Sequence, residues 1–175
     1  MSRARRPRGA CCALFALALS GAPGVGGARP LAEWAPLDGL DADTARTYAD
    51  HRRSRCLPDA AEVAFPVYPG AVVIELDWGR VRPACRTRDG WADLGGVVLA
   101  TRDAPVQVTA WYADRLAEHV QYPAARGVLF IRARIAAFLW ERDYYKFPNV
   151  AVRPAPPAWA TAGYRTVIEF NQPAP

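Results

Sequence analysis

A chain of 175 residues, 51% hydrophobic and 22% charged, is sized for one domain and has too much apolar content and too little charge excess for a disordered segment. Its formal charge of +5 is no signature of nucleic-acid binding: residues 1–28 hold four arginines and no acid, and without them 18 basic side chains face 17 acidic ones, a net of +1. Lys146 is the one lysine, so arginine carries nearly all positive charge and each single arginine says little about function.

Arg3, Arg5, Arg6 and Arg8 begin the chain, an apolar run follows over 10–19, and small residues fill 20–28. That order is the layout of a secretory signal peptide. The apolar run is shorter than the ~20 residues of a membrane span, and no later segment rivals it, so no transmembrane span is expected. Cleavage is expected between residues 20 and 28, after Ser20 or Ala28, which sends the mature chain to the periplasm or outside the cell. Cys11 and Cys12 would leave with the signal.

Residues 29–40, with Pro30, Pro36 and Gly39, read as an irregular mature N-terminus. Asp41 or Asp43 can cap a helix over about 43–55, with Ala45, Tyr48 and Ala49 on its apolar face. Residues 65–68 form a short extended piece, Pro69-Gly70 a turn, and 71–78 a β-branched strand. Residues 80–90 alternate weakly, as an edge strand or a connection, and 97–101 is a further strand. Asp103 as N-cap and Pro105 in the first turn open a long helix over about 103–119. Val108, Trp111, Tyr112 and Leu116 share one face, and Trp111 and Leu116 are expected to lie on the sheet. Segment 127–147 fits either a hairpin with strands at 128–131 and 138–140 or a helix; Gly127 and the aromatic enrichment favour the hairpin. Residues 149–153 form a strand, 154–162 a proline-rich loop and 164–170 the last strand. The result is an α+β two-layer sandwich, 41–175, with a mostly antiparallel sheet of about four to six strands.

The mature chain would keep two cysteines, Cys56 and Cys85. An even pair in an exported chain reads as a disulfide, worth ~3 kcal/mol for a loop of about 30 residues. A metal site would need further ligands, and His51 and His119 offer no ligand spacing.

The segments FPVYPGA over 65–71 and TRDAPVQVTAWY over 101–112 resemble a group of poorly characterised bacterial exported (envelope) proteins. These carry a YPGA turn followed by a strand and a T-x-D-S-P-x-x-V-x-x-[FW]-Y helix start. The resemblance covers about residues 63–120 and implies an exported α+β module with no catalytic residues to carry over. Ala104 stands where the group usually has serine, which leaves the first helical turn to Asp103. The physical content of both motifs is structural: a tight turn, a proline-started helix and core aromatics.

Catalytic inventories are thin. Ser54 is the one serine beyond residue 28, and it has no Gly-x-Ser-x-Gly setting. Asp77, Asp89 and Asp93 near Trp78 and Trp91 could in principle hydrolyse a glycan; turn aspartates beside core tryptophans explain them as well. Asp38, Asp41 and Asp43 miss the calcium-loop spacing and suit a helix cap. His119 reads as a solvated residue at a helix end. Tyr144, Tyr145 and Phe147 form a candidate aromatic contact surface, or strand-edge packing. Arg52, Arg53 and Arg55 precede Cys56, and Arg80, Arg82, Arg86 and Arg88 surround Cys85. A disulfide would join them into a candidate site for an anionic lipid or glycan. No cofactor or metal is expected. The expectation is a non-enzymatic module that binds an envelope component; the alternatives are a polysaccharide hydrolase using acids near Trp78 and Trp91, or a structural or assembly accessory protein.

Overall fold

The computed structural model describes residues 31–58, 60, 63–78, 94–136 and 144–172. The chain is an α+β fold around a six-stranded antiparallel sheet. In chain order it forms α1 (Ala42–Arg53), β1 (Val72–Trp78), β2 (Leu94–Thr101), α2 (Pro105–Arg115), β3 (Val120–Ala124), β4 (Gly127–Ile131), a 3-10 turn (Tyr144–Lys146), β5 (Asn149–Pro154), α3 (Pro157–Thr161) and β6 (Thr166–Asn171). The strand order is β1-β2-β6-β5-β4-β3. Helix α2 thus carries the chain from β2 to the far edge, and a meander brings it back to pair β6 with β2.

One sheet face buries the main core. Val73, Leu76, Val97, Leu99, Phe130, Val150, Val152, Ile168 and Phe170 project there beneath Val108, Tyr112 and Leu116 of the α2 segment. The opposite face is covered at its two ends. At the β1 end Tyr48 of α1, Trp34, Trp159 and Tyr164 pack on Ile74, Ala100 and Val167. At the β4 end Tyr122, Ile135, Tyr144 and Phe147 pack on Leu129, Ile131 and Ala151. On this face one register row crosses all six strands: Glu75, Val98, Glu169, Ala151, Leu129, Tyr122.

Helix α1 starts as the capping pattern predicts. Asp41 accepts hydrogen bonds from the Asp43 and Thr44 amides at 3.1 and 3.0 Å and from the Thr44 hydroxyl at 2.6 Å. These bonds, the Thr44 hydroxyl first, hold the Asp41 carboxyl below its ordinary pKa. Helix α2 departs from expectation at both ends. Ala104, not Asp103, is the N-cap residue, and the Gln107 side chain accepts from the Ala104 amide at 3.0 Å. The helix ends at Arg115, and His119 is half-buried edge-on to Phe65, with ring centroids 6.1 Å apart, so it is not the solvated residue of a helix end. Burial, then the Arg132 charge, lowers its pKa against the pull of Glu118.

Trp111 is half-buried, with the Arg115 guanidinium 4.0 Å from its ring centre, so the expected burial is corrected: Val108 and Tyr112 form the inner face with Leu116. The sequence reading places no element over 120–124, where Pro123 resembles a loop; the segment is strand β3, and proline is tolerated there because β3 is an edge strand. Residues 128–131 are strand, within β4, but β4 pairs with β3. The second expected strand, 138–140, lies outside the described residues. The proline-rich stretch 154–162 contains the short α3, with proline in its first turn.

Of the expected Cys56–Cys85 disulfide, Cys85 lies outside the described residues. Cys56 is half-buried after α1 and is engaged rather than free.

The two resemblance motifs interlock. The Tyr68 hydroxyl donates to Asp103 Oδ2 at 2.8 Å, the Tyr112 hydroxyl donates to the Pro66 carbonyl at 3.0 Å, and the Tyr68 ring meets Trp111 edge-on at 5.2 Å. Asp103 thus ties the turn at 68–71 to the start of α2 instead of capping the helix. Burial, and then this bond, raises the Tyr68 pKa. Tyr68→Phe is expected to cost ~1.5–3 kcal/mol in denaturant unfolding, as for a hydrogen bond to a charged acceptor. Asp103→Asn made on that background should add less than it does alone; strict additivity of the two changes would show that the pair contributes nothing.

Candidate functional site

A β-bulge in β1 shapes a concave surface among the described residues. In a regular strand, side chains alternate between faces, so Val73 and Leu76 could not both enter the core. The β1–β2 register shifts between Val73 and Glu75, which inserts an extra residue. Val73 and Leu76 therefore share the core face, while Ile74 and Glu75 lie side by side on the other.

The same shift changes which amides point outward from the edge of β1. The Val73 amide donates to the Glu33 carbonyl at 2.7 Å, and the Ala35 amide returns a bond to the Val73 carbonyl at 2.9 Å. Three residues on, the Leu76 amide donates to His51 Nε2 at 3.0 Å. The N-terminal segment and α1 thus seal the outer edge of β1, which an open sheet must protect.

Ile74 and Glu75 form one wall of a groove of about 450 Å3, with Asp43, Thr44, Thr47, Tyr48 and His51 from α1 and Trp159 from α3. Tyr48 meets Trp159 edge-on at 5.1 Å and Trp34 at 6.1 Å, and its hydroxyl lies 3.0 Å from the carbonyl oxygens of both Ala35 and Val73. Burial raises the Tyr48 pKa to about 12, against the Arg52 charge. Glu169 follows along the row from Glu75, with Val98 between them, so the two backbones are two strand spacings apart, ~9.6 Å. Its carboxylate lies 3.4 Å from an Arg153 nitrogen. Burial holds the Glu169 pKa above its ordinary value, opposed by Arg153 and aided by Glu75.

His51 gives the groove a pH dependence. Burial, then the positive charge of Arg55, depresses its pKa, and Glu75 opposes them. Protonation at Nε2 would also remove the lone pair that accepts the Leu76 amide. The unfolded pKa is ~6.5. The stability from neutral His51 is thus fully present above that pH and is lost as pH falls through the lower folded value. His119 acts in the same direction, and the raised pKa of Glu169 acts in the opposite one. The thermal midpoint should therefore fall less steeply between pH 7 and 5 in His51→Gln than in the wild type. An unchanged slope would show that His51 does not titrate against this bond.

The residues singled out in the sequence fall differently. Arg52 and Arg53 are exposed on α1, and Arg53 pairs with Asp50. Arg55 is half-buried and bonds the Ser54 carbonyl at 3.3 Å. None of the three lines the groove. Arg80, Arg82, Arg86 and Arg88 lie outside the described residues, as do Asp89, Trp91, Asp93 and the side chains of Asp77 and Trp78. Of the aromatic trio, Tyr145 is exposed; Tyr144 and Phe147 pack on the β4 end of the sheet, and their carbonyls accept from Asn149 at 3.0 and 2.8 Å. Leu37, Val106 and Tyr145 are the large exposed apolar residues described; they stand before α1, in α2 and in the 3-10 turn.

Among the described residues no cluster of three or more potential ligands could hold a metal ion, and no helix is long and apolar enough to cross a membrane. No protein-family model, curated protein or solved structure gives a significant match to the chain.

Proposed function

We propose that this chain is an exported, non-enzymatic module that binds a component of the bacterial envelope in the groove between α1, the β1 bulge and α3. The bulge carries the reading: it turns an acid out of a core strand and sets it on a concave wall beside an aromatic ring. Export rests on the signal-like order of residues 1–28 and on the resemblance of 63–120. Binding is favoured over catalysis because the groove's perturbed groups already have structural work: His51 Nε2 holds the Leu76 amide, the Tyr48 hydroxyl holds backbone carbonyls, and nearby Glu169 holds Arg153.

Purified protein should be retained by glycan-rich envelope fractions and released from them by Thr47→Arg, which fills the groove from an exposed position on α1. Retention that this change leaves intact would put binding elsewhere. New reducing ends, formed by the wild type and lost in Glu169→Gln, would replace binding by hydrolysis with the Glu75–Glu169 pair.

A further inference from the structure

Resting on that groove as the binding site, we infer that its ligand is a glycan carrying a free, positively charged amine, and that Glu75 is the residue that contacts the amine. The charges of the groove set the sign. Its ionised side chains are Asp43 and Glu75, and no arginine or lysine lines it. Asp43 already has Arg46 at 3.4 Å, one turn away on α1. Glu75 forms no hydrogen bond or ion pair among the described residues, although it lies close enough to His51 and Glu169 to influence both. An anion would therefore meet repulsion from Glu75, and a neutral ligand would leave its charge unused.

The remaining walls favour a sugar as the bearer of that amine. Trp159 is half-buried, offering an aromatic surface of the kind on which the C–H face of a pyranose packs. The exposed Thr47 hydroxyl can donate to and accept from ring hydroxyls, and the carboxylate accepts from an ammonium in a charge-assisted bond. The bulge explains the placement: without the inserted residue, Glu75 would follow Val73 into the core face, where an unpaired carboxylate could not be buried.

The test is calorimetric titration of the purified protein with a glucosamine tetramer, an N-acetylglucosamine tetramer and a lysine tetrapeptide. The glucosamine tetramer should bind roughly tenfold more tightly than its acetylated form, the share one charge-assisted hydrogen bond supplies. Glu75→Gln, at an exposed position, should abolish that preference without altering the circular dichroism spectrum. Trp159→Ala should weaken both sugars, and added salt should weaken the amine form. Equal affinity for the two sugars, with both lost in Thr47→Arg, would overturn the amine inference while leaving the groove as the binding site. Tighter binding of the lysine peptide would assign the amine to a peptide and overturn the glycan. Binding of none of the three would overturn the inference, and retention on envelope fractions would then decide the broader reading by itself.

Discussion

Gly127→Ala is expected to cost several kcal/mol and to disrupt the pairing of β4 with β5. Gly127 opens β4 after the two-residue turn at Ala125 and Arg126, with φ +150°, a backbone conformation that L side chains rarely adopt. A Cβ there would overlap the Val152 carbonyl oxygen and stand 3.0 Å from its carbon and 3.1 Å from Arg153 Cα. All three are backbone atoms of the neighbouring strand, so no rotamer change can relieve the clash. The strained dihedral costs ~1–3 kcal/mol, and forcing β5 away adds ~1–3 kcal/mol more. Gly70 supplies the control. Its φ is +72°, but a Cβ would meet nothing within 4 Å, so Gly70→Ala should cost only the ~1–2 kcal/mol of the left-handed conformation. Equal losses for the two changes, measured by urea unfolding, would show that crowding by β5 is not what selects glycine at 127.

That glycine illustrates what the sequence discloses. Gly127 reads locally as a hairpin boundary, which it is, but the crowding comes from a strand 25 residues downstream. Elements with strong local signals were legible: Asp41 before α1, Pro105 opening α2, and the β-branched runs of β1, β5 and β6. Strand β3 was not, because Pro123 breaks the local pattern and is tolerated only through its edge position. The candidate site was illegible for a related reason. Its walls come from residues 43–51, 74–75 and 159, with Glu169 beyond, and no spacing joins them. One trace did exist. Glu75 stands inside Val-Val-Ile-Glu-Leu and Glu169 inside Val-Ile-Glu-Phe, single acids in apolar strands whose faces only a register can reveal. Ile74, Glu75 and Leu76 by themselves read as regular alternation, so the bulge shows only in how Val73 and Glu75 pair with β2.

Tyr112→Ala should cost ~3–5 kcal/mol, the range for truncating a large core aromatic, and Trp111→Ala no more than ~1–2 kcal/mol, although tryptophan is larger. Position on the helix decides between them. Val108, Tyr112 and Leu116 repeat every four residues and point into the main core, where Val108 and Tyr112 are fully buried. Trp111 is one residue off that line and lies at the rim, against Tyr68 and the Arg115 guanidinium. Tyr112 also touches Phe130 and Phe170, with ring centroids 6.1 and 6.3 Å away, so its loss leaves a cavity bordered by β4 and β6 that rigid strands cannot close. Its hydroxyl adds a smaller contribution. Burial drives its pKa far upward, and the group stays neutral as it donates to Pro66. Tyr112→Phe should therefore cost only ~1 kcal/mol, one net hydrogen bond, which separates ring packing from hydroxyl bonding. A larger loss for Trp111→Ala than for Tyr112→Ala in urea unfolding would reverse the assignment of the helix's inner face. Near-equal losses for Tyr112→Phe and Tyr112→Ala would mean that the bond to Pro66, and so the link between the two motifs, outweighs the ring.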